Sequence, residues 1–129
     1  MGCVCVNRKT GDITLTFQQG NNVLIEFTHI NDGVVTDIEP AFDILYGVYD
    51  QNTGERIMDG SYRAGGRITR NSIGVYYFNM THEDTESLLG TYKLEITIVD
   101  RNDPREVKVA HANQLIFMYF EPRQNNDLI

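Results

Sequence analysis

One stretch in the last third of the chain constrains the fold most: residues 88–99, Leu-Leu-Gly-Thr-Tyr-Lys-Leu-Glu-Ile-Thr-Ile-Val. From Thr91 to Ile98, polar side chains alternate with apolar or aromatic ones at every second position. This period of two is typical of a β-strand that buries one face and exposes the other to water. The stretch therefore predicts a half-buried strand around which the rest of the chain is organised.

Further strand patterns recur on both sides of this stretch, separated by turn residues. Residues 13–17 and 23–28 alternate in the same way, and the turn signal Gln19-Gly20-Asn21-Asn22 between them predicts a hairpin. Residues 42–49 are apolar on nearly both faces and predict a central strand. We expect other short strands around 56–58, 67–69, 75–80, 106–109 and 115–120, and a single helical turn within 82–87.

The number and spacing of these segments predict an all-β fold. Roughly eight or nine short strands with turns every 8–12 residues, and no convincing amphipathic helix, are typical of an antiparallel β-sandwich. The 129 residues are 41% hydrophobic and 22% charged, which suits one globular domain with a real core. We expect an N-terminal arm over residues 1–11, the sandwich over 12–122 and a C-terminal tail over 123–129.

The charge of the chain limits its partners. A formal net charge of −7 disfavours a nucleic-acid binder, since phosphate neutralisation needs clustered Lys and Arg. Four arginines nevertheless fall in one short window, at Arg56, Arg63, Arg67 and Arg70. They form either a solvated surface or a docking patch for an acidic protein surface.

The N-terminal arm carries the two cysteines of the chain, Cys3 and Cys5. A bridge between them would close a strained small ring, and no His lies nearby in the sequence to complete a metal site. The arm is thus interpreted as a plain β-arm. A lipid anchor on Gly2-Cys3 and a metal or redox role of the thiols are left open. Against the lipid anchor, Val6 stands at the position where the myristoylation pattern has Ser or Thr.

Membrane and export signals are not visible. No apolar run is long enough to span a bilayer, and no apolar segment precedes Arg8 and Lys9 as in a signal peptide. We therefore expect no membrane association, and a chain that folds in a cytoplasm or is a mature or trimmed product.

The last predicted strand, Leu115 to Phe120, is apolar at every position. A sandwich strand normally alternates because one face meets water. Either a loop or the N-terminal arm covers its outer face, or the strand is a subunit or partner interface. The predicted interface residues are those of the arm, the arginine window and this strand: Cys3, Val4, Cys5, Val6, Arg56, Arg63, Arg67, Arg70, Ile116, Met118 and Phe120.

No catalytic or metal-binding pattern stands out. His29, His82 and His111 are far apart and in no metal-ligand spacing, and the acidic group Glu83, Asp84 and Glu86 matches no known calcium loop. Nucleophile elbows, Cys-His pairs and phosphate-cradling loops are not visible either. We expect no enzymatic activity and no cofactor.

Three segments carry a resemblance to a known family. Residues 31–38 place an Asp-Gly turn before the strand at 42–44; residues 74–78 form a Gly-led strand; residues 89–96 place Gly-x-Tyr at the start of the next strand. This order resembles the immunoglobulin-like domains of phage virion proteins, such as the N-terminal domain of baseplate upper proteins and the sandwiches that decorate heads and tails. The resemblance implies an immunoglobulin-like sandwich with the Tyr92 ring in its core, and no catalysis.

The resemblance also implies a function. We expect a non-enzymatic structural component of a virion, such as a capsid decoration, baseplate or tail protein, assembled in the host cytoplasm. It would dock in many copies on other virion subunits. The alternative is a glycan- or receptor-binding module, and a third hypothesis, an adaptor anchored to a membrane, rests on Gly2-Cys3 alone. A glycan would stack on exposed tyrosines chosen from Tyr46, Tyr49, Tyr62, Tyr76 and Tyr77.

Overall fold

The computed structural model describes residues 2–6, 13–102, 108–111 and 116–123, the segments 2–6 and 108–111 by their backbone alone. Most of these residues lie in strands, and their helical content is a single turn. In chain order the elements are β1 (Gly2–Val6), β2 (Ile13–Gln18), β3 (Val23–Asn31), β4 (Val34–Val35), β5 (Phe42–Asp50), β6 (Arg56–Ser61), β7 (Ile68–Ser72), β8 (Val75–Met80), α1 (His82–Thr85), β9 (Gly90–Asp100), β10 (Lys108–His111) and β11 (Ile116–Glu121).

The smaller sheet has the strand order β1–β3–β8–β7, with β4 pairing beside β3. All of its pairs are antiparallel. Alternate residues of β3 and β8 point inward and are buried, as the period-two pattern of β3 predicts. The inward-facing cross-strand pairs are Val23–Met80, Ile25–Phe78 and Phe27–Tyr76.

The larger sheet has the order β2–β11–β9–β5–β6, with β10 also pairing with β9. The alternating stretch from Thr91 to Ile98 lies in β9, which is in the middle of this sheet and buries Tyr92, Leu94 and Ile96. β10 and β11 follow one another along one side of β9, because β5 occupies its other side. β11 pairs in antiparallel fashion with β9 and in parallel with β2.

The two sheets form an immunoglobulin-like β-sandwich, so the predicted fold class is confirmed. The order of the smaller sheet corresponds to the strands A, B, E and D of that fold, and β11–β9–β5–β6 to G, F, C and C′. The first strand is divided between the sheets as β1 and β2, and β10 and β11 are the two described segments of the last strand, both paired with β9. Counting each divided strand once reduces the eleven described segments to nine, in line with the predicted number.

The core fills the space between the sheets. Tyr46 of β5 and Phe78 of β8 meet across it with ring centroids 5.2 Å apart. The Tyr46 ring also lies over Gly60 of β6, where an added Cβ would stand 2.6 Å from the tyrosine hydroxyl. The largest fully buried side chains are Tyr76, Phe27, Phe78, Phe120, Ile44, Met80, Leu94, Ile96, Ile98, Ile116 and Met118.

The predicted hairpin between residues 13–17 and 23–28 is wrong, because β2 and β3 belong to different sheets. The turn between them bonds to other elements instead. The Gln19 N–H donates to the carbonyl of Glu121 at 2.8 Å, and the Gly20 N–H donates to the carbonyl of Thr85 at 3.3 Å. The turn therefore carries the chain from one sheet to the other.

Several local predictions are confirmed. β5 is a central strand, β7 covers most of the strand predicted around 67–69, and α1 is the expected helical turn. Of the strand predicted around 106–109, Lys108 and Val109 belong to β10, and residues 106–107 lie outside the described residues. Of the predicted arm, residues 2–6 form β1 and pair with β3. The side chains of Cys3, Val4, Cys5 and Val6, and most of the predicted tail, lie outside the described residues.

Candidate binding face

The outer face of the larger sheet is the candidate binding face. Cross-strand pairing aligns one side chain from each of five strands in a single row across this face. The row is Thr14 on β2, Phe117 on β11, Lys93 on β9, Tyr49 on β5 and Arg56 on β6. Thr14 and Arg56 are exposed, and Phe117, Lys93 and Tyr49 are half-buried.

At one end of this face, β11 presents two aromatic side chains. Phe117 is half-buried and Tyr119 is 40% exposed. Tyr119 lies between Thr16 and Thr91 on the neighbouring strands. We call this surface the aromatic patch; it consists of Phe117 and Tyr119 with the flanking threonines Thr14, Thr16 and Thr91.

The predicted interface role of Ile116, Met118 and Phe120 needs correction. All three side chains are fully buried in the sandwich core, with 0% exposure. β11 alternates after all, with these three residues inside and Phe117 and Tyr119 outside. Because both alternate sets are apolar, the sequence could not distinguish the inner from the outer set.

Towards the other edge of the same face lies a groove of about 520 Å³, which we call the outer-face groove. It runs over β5, β6 and β9, and the loop after β6 contributes Ala64. Its size falls within the range of about 300–1,000 Å³ that small-molecule sites occupy. Its lining includes Leu45, Tyr49, Asp59, Ser61 and Glu95, together with Thr97, which is only 5% exposed.

A glycine shapes the groove. Gly47 stands between Asp59 and Glu95 in a cross-strand row and contributes no side chain of its own. The Tyr49 ring leans over this glycine, and a Cβ on Gly47 would lie 2.9 Å from the ring. The Lys93 ammonium lies 5.6 Å from the ring centroid. A glycine within an apolar strand signals such a close approach, and Gly47 was the sequence feature that could have located the groove.

The two carboxylates of the groove differ in their partners. Asp59 pairs with Arg56 at 3.4 Å, and both side chains are more than half exposed. Glu95 is half-buried, and among the described residues its carboxylate has no ion pair or hydrogen bond. Of the two groove carboxylates, that of Glu95 is therefore the one that no described side chain occupies.

The four arginines of the predicted patch do not form one free basic surface. Arg56 lies at the groove, whereas Arg63 folds back on its own chain and donates from Nη2 to the carbonyl of Glu39 at 2.9 Å. Arg70 donates to Asp37 at 3.1 Å. Arg67 holds both oxygens of Asp84. The predicted acidic-protein docking patch is thus corrected, because three of the four guanidinium groups are engaged in stabilising loops of this domain.

These ion pairs perturb the aspartates. The hydrogen bond from Arg70, together with the Gly74 N–H at 2.7 Å, holds the pKa of Asp37 below its ordinary value. Burial alone would raise the pKa of Asp84, but hydrogen bonds from Arg67 and Thr81 outweigh it, and the pKa again lies below its ordinary value. Both carboxylates therefore favour the ionised form in the folded protein.

Of the five tyrosines considered for stacking, Tyr49 is the one whose side chain belongs to the groove on the outer face. Tyr46 and Tyr76 are core residues with 7% and 1% exposure. Burial raises the pKa of both hydroxyls. Tyr62 packs edge-on against Tyr76 with centroids 5.3 Å apart, and Tyr77 lies on the smaller sheet beside Glu26 and Thr69. Burial thus excludes Tyr46 and Tyr76, and of the three half-buried tyrosines Tyr49 is the one at the groove.

The described segments contain neither a cluster of potential metal ligands nor a helix that could span a membrane. No three His, Cys, Asp or Glu side chains within them come together where they could hold a metal ion. Within the same segments, no helix has the length and apolar character needed to cross a bilayer. The acidic group near α1 instead contributes Asp84 to the pair with Arg67.

Comparison with known proteins yields a structural likeness alone. No family model and no curated protein matches the chain. The solved structure of murine CRIg is similar at 13% sequence identity, with a TM-score of 0.44, and the match covers 94% of this chain and 98% of that one. The strand order of the two sheets is what identifies the chain as an immunoglobulin-like sandwich.

Proposed function

We propose that this chain is a non-catalytic docking module, a structural component of a phage virion that attaches to a neighbouring virion subunit through the aromatic patch. The observation that carries the proposal is the pair Phe117 and Tyr119, which project outward from a strand whose alternate residues form the core. The virion setting rests on the sequence resemblance described above.

The composition of the aromatic patch suits protein docking. Aromatic side chains are enriched at interfaces because they bury a large area at little cost in conformational entropy. The surrounding Thr14, Thr16 and Thr91 offer hydroxyl groups that donate and accept hydrogen bonds. A partner can thus bury the two rings while the threonines form a polar rim.

The position of the patch adds a second mode of attachment. Within the described residues, β2 pairs with β11 and ends the strand order of the larger sheet. Its free edge carries backbone groups to which a partner can add a strand. Because Thr14 and Thr16 of β2 belong to the patch, a single partner can cover the rings of the patch and add a strand to the larger sheet at the same time.

The net charge of the chain limits the kind of surface on which it can dock. A module with a net charge of −7 is repelled by nucleic acid and by strongly acidic surfaces. A neighbouring subunit with an apolar or mildly basic surface fits better.

The experiment is native mass spectrometry of the particle with which the chain co-purifies. We expect the double variant Phe117→Ser/Tyr119→Ser, and Tyr119→Ser alone to a smaller degree, to lower the number of bound copies. The single variant removes a 40% exposed ring and so keeps the test valid if the double variant unfolds.

The matched control is Leu24→Ser, which removes a 58% exposed apolar side chain from the outer face of the smaller sheet. It should leave the copy number unchanged. Equal loss for the control and the patch variants, or no loss for any of them, would contradict docking through this patch.

A further inference from the structure

The outer-face groove combines three kinds of group in one depression. Leu45 and Ala64 supply apolar surface, Ser61 supplies a hydroxyl group, and the carboxylates of Asp59 and Glu95 supply acceptors. No residue of the groove belongs to the aromatic patch. The groove is thus a separate feature of the same sheet.

The two acceptors are separated across the groove by a glycine, over which the Tyr49 ring lies. Asp59, Gly47 and Glu95 occupy one row on three adjacent strands, so the two acidic backbone positions are about 10 Å apart, twice the strand spacing. Between them the Tyr49 ring is the main side chain, because Gly47 has none. A ligand in this space would touch a ring and reach a carboxylate on either side.

The balance of charges points to a neutral ligand. Asp59 is compensated by Arg56 at 3.4 Å, and the Tyr49 ring already has the Lys93 ammonium 5.6 Å from its centroid. An incoming cation would therefore compete with an internal one at the ring, and an incoming anion would meet Glu95. A molecule with many hydroxyl groups avoids both conflicts, since hydroxyls donate to carboxylates and accept from Arg or Ser.

We propose that the outer-face groove is a saccharide-binding site that takes neutral oligosaccharides. Glu95 accepts hydrogen bonds from sugar hydroxyls, and Tyr49 with Leu45 contacts the apolar C–H surface of the sugar. Sugars that carry a carboxylate are excluded by repulsion from Glu95. This activity goes beyond docking on a subunit and would let a displayed copy of the chain hold a surface glycan.

The test is a glycan array probed with the purified full chain, followed by calorimetric titration of the oligosaccharides that bind. We expect neutral hexose or N-acetylhexosamine oligosaccharides to bind and their sialylated or uronic-acid counterparts to bind more weakly. Glu95→Gln and Tyr49→Ala should each weaken the binding at least about tenfold, as expected for loss of a hydrogen bond to a charged group or of a contact ring.

Tyr77→Ala is the matched control, because Tyr77 is also a half-buried tyrosine on an outer sheet face, but on the smaller sheet. Its affinity for the same oligosaccharide should equal that of the unmodified chain. The thermal melting of all three variants separates loss of binding from loss of fold.

Three results would overturn the saccharide site. These are no binding to any member of the array at high protein concentration, equal binding by all variants, and preferential binding of Arg- or Lys-rich peptides by the groove. Phe117→Ser/Tyr119→Ser leaves the groove intact, so it should bind the sugar normally. Failure of docking and failure of the saccharide site are therefore distinguishable.

Discussion

Arg67 and Asp84 form a two-point ion pair that joins the start of β7 to the helical turn α1. Nη2 of Arg67 donates to Oδ1 of Asp84 at 2.8 Å, and Nη1 binds the other carboxylate oxygen. The same carboxylate accepts the backbone N–H of Thr81 at 2.7 Å and so completes the capping box of α1. One aspartate thus fixes both an arginine and a helix terminus.

We expect Asp84→Asn to lower the free energy of unfolding by about 1–3 kcal/mol, because it weakens charge-assisted hydrogen bonds in a side chain that is 17% exposed. Urea denaturation at neutral pH measures this change. Asp59→Asn is the control, since its pair with Arg56 is more than half exposed and should contribute little. Equal effects of the two variants would contradict this role of Asp84.

Acid should destabilise the fold through Asp84 and Asp37. Both pKa values are depressed in the folded state. A carboxyl with a depressed folded pKa stabilises the protein while it is ionised, so its contribution is complete above the unfolded pKa of about 3.9 and is lost as the pH falls through the folded pKa. The urea concentration at the unfolding midpoint, measured from pH 7 down to pH 2, should begin to decrease once the pH is below about 4. The decrease should be less steep for Asp84→Asn than for the unmodified chain. Parallel curves for the two proteins would be the contrary result.

Gly74→Ala should be strongly destabilising. Gly74 has φ +70°, and an added Cβ would lie 2.5 Å from Cγ1 of Val35 and 2.7 Å from the backbone nitrogen of Thr36. We expect a loss of at least about 2 kcal/mol, from the strained backbone and the overlap together. Gly33→Ala, at φ +78° with open space around it, should cost only the backbone part, about 1 kcal/mol. Thermal unfolding of both variants would show whether the overlap at Gly74 matters.

Tyr92→Ala should cost about 3–5 kcal/mol, the range for removal of a buried aromatic side chain. Tyr92 is 6% exposed and packs edge-on against Phe120 with centroids 5.8 Å apart. Tyr119→Ala on the outer face should cost less than about 1 kcal/mol. A loss near zero for Tyr92→Ala in chemical denaturation would mean that its ring is not part of the core.

The strands with clear alternation could be predicted from the sequence, but their partners could not. Residues 13–17 and 23–28 have the right period, yet β2 and β3 join different sheets because Gln19 and Gly20 bond to Glu121 and Thr85 instead of closing a hairpin. Those acceptors are about 65–100 residues away along the chain, and nothing in the local pattern signals them.

The candidate binding face was only partly predictable. The apolar character of the last strand pointed to β11. Phe117 and Ile116 are both apolar, however, so the sequence pattern does not show which of them faces outward; the packing of the two sheets places Phe117 outside and Ile116 inside. The arginine window was misleading for a different reason. The chain crosses from β6 in one sheet to β7 in the other within that window, so arginines adjacent in sequence reach separate acceptors such as Asp37 and Asp84.

One hydrogen bond of a tyrosine hydroxyl could not be predicted from the sequence. The hydroxyl that fixes a distant backbone group is that of Tyr76, which accepts the N–H of Ile38 at 2.9 Å inside the core. The prediction made for Tyr92, that its ring joins the core, is confirmed. A hydroxyl bond across 38 residues depends on the finished sandwich and leaves no local signal.

The central claim, that the aromatic patch is the docking surface, is tested most directly by electron microscopy of the particle with which the chain co-purifies. At side-chain resolution, the map should show Phe117 and Tyr119 covered by a neighbouring subunit at regular positions. A chain held through the outer face of the smaller sheet, with Leu24 covered and Tyr119 open to solvent, would contradict the claim. So would a chain that joins no particle at all.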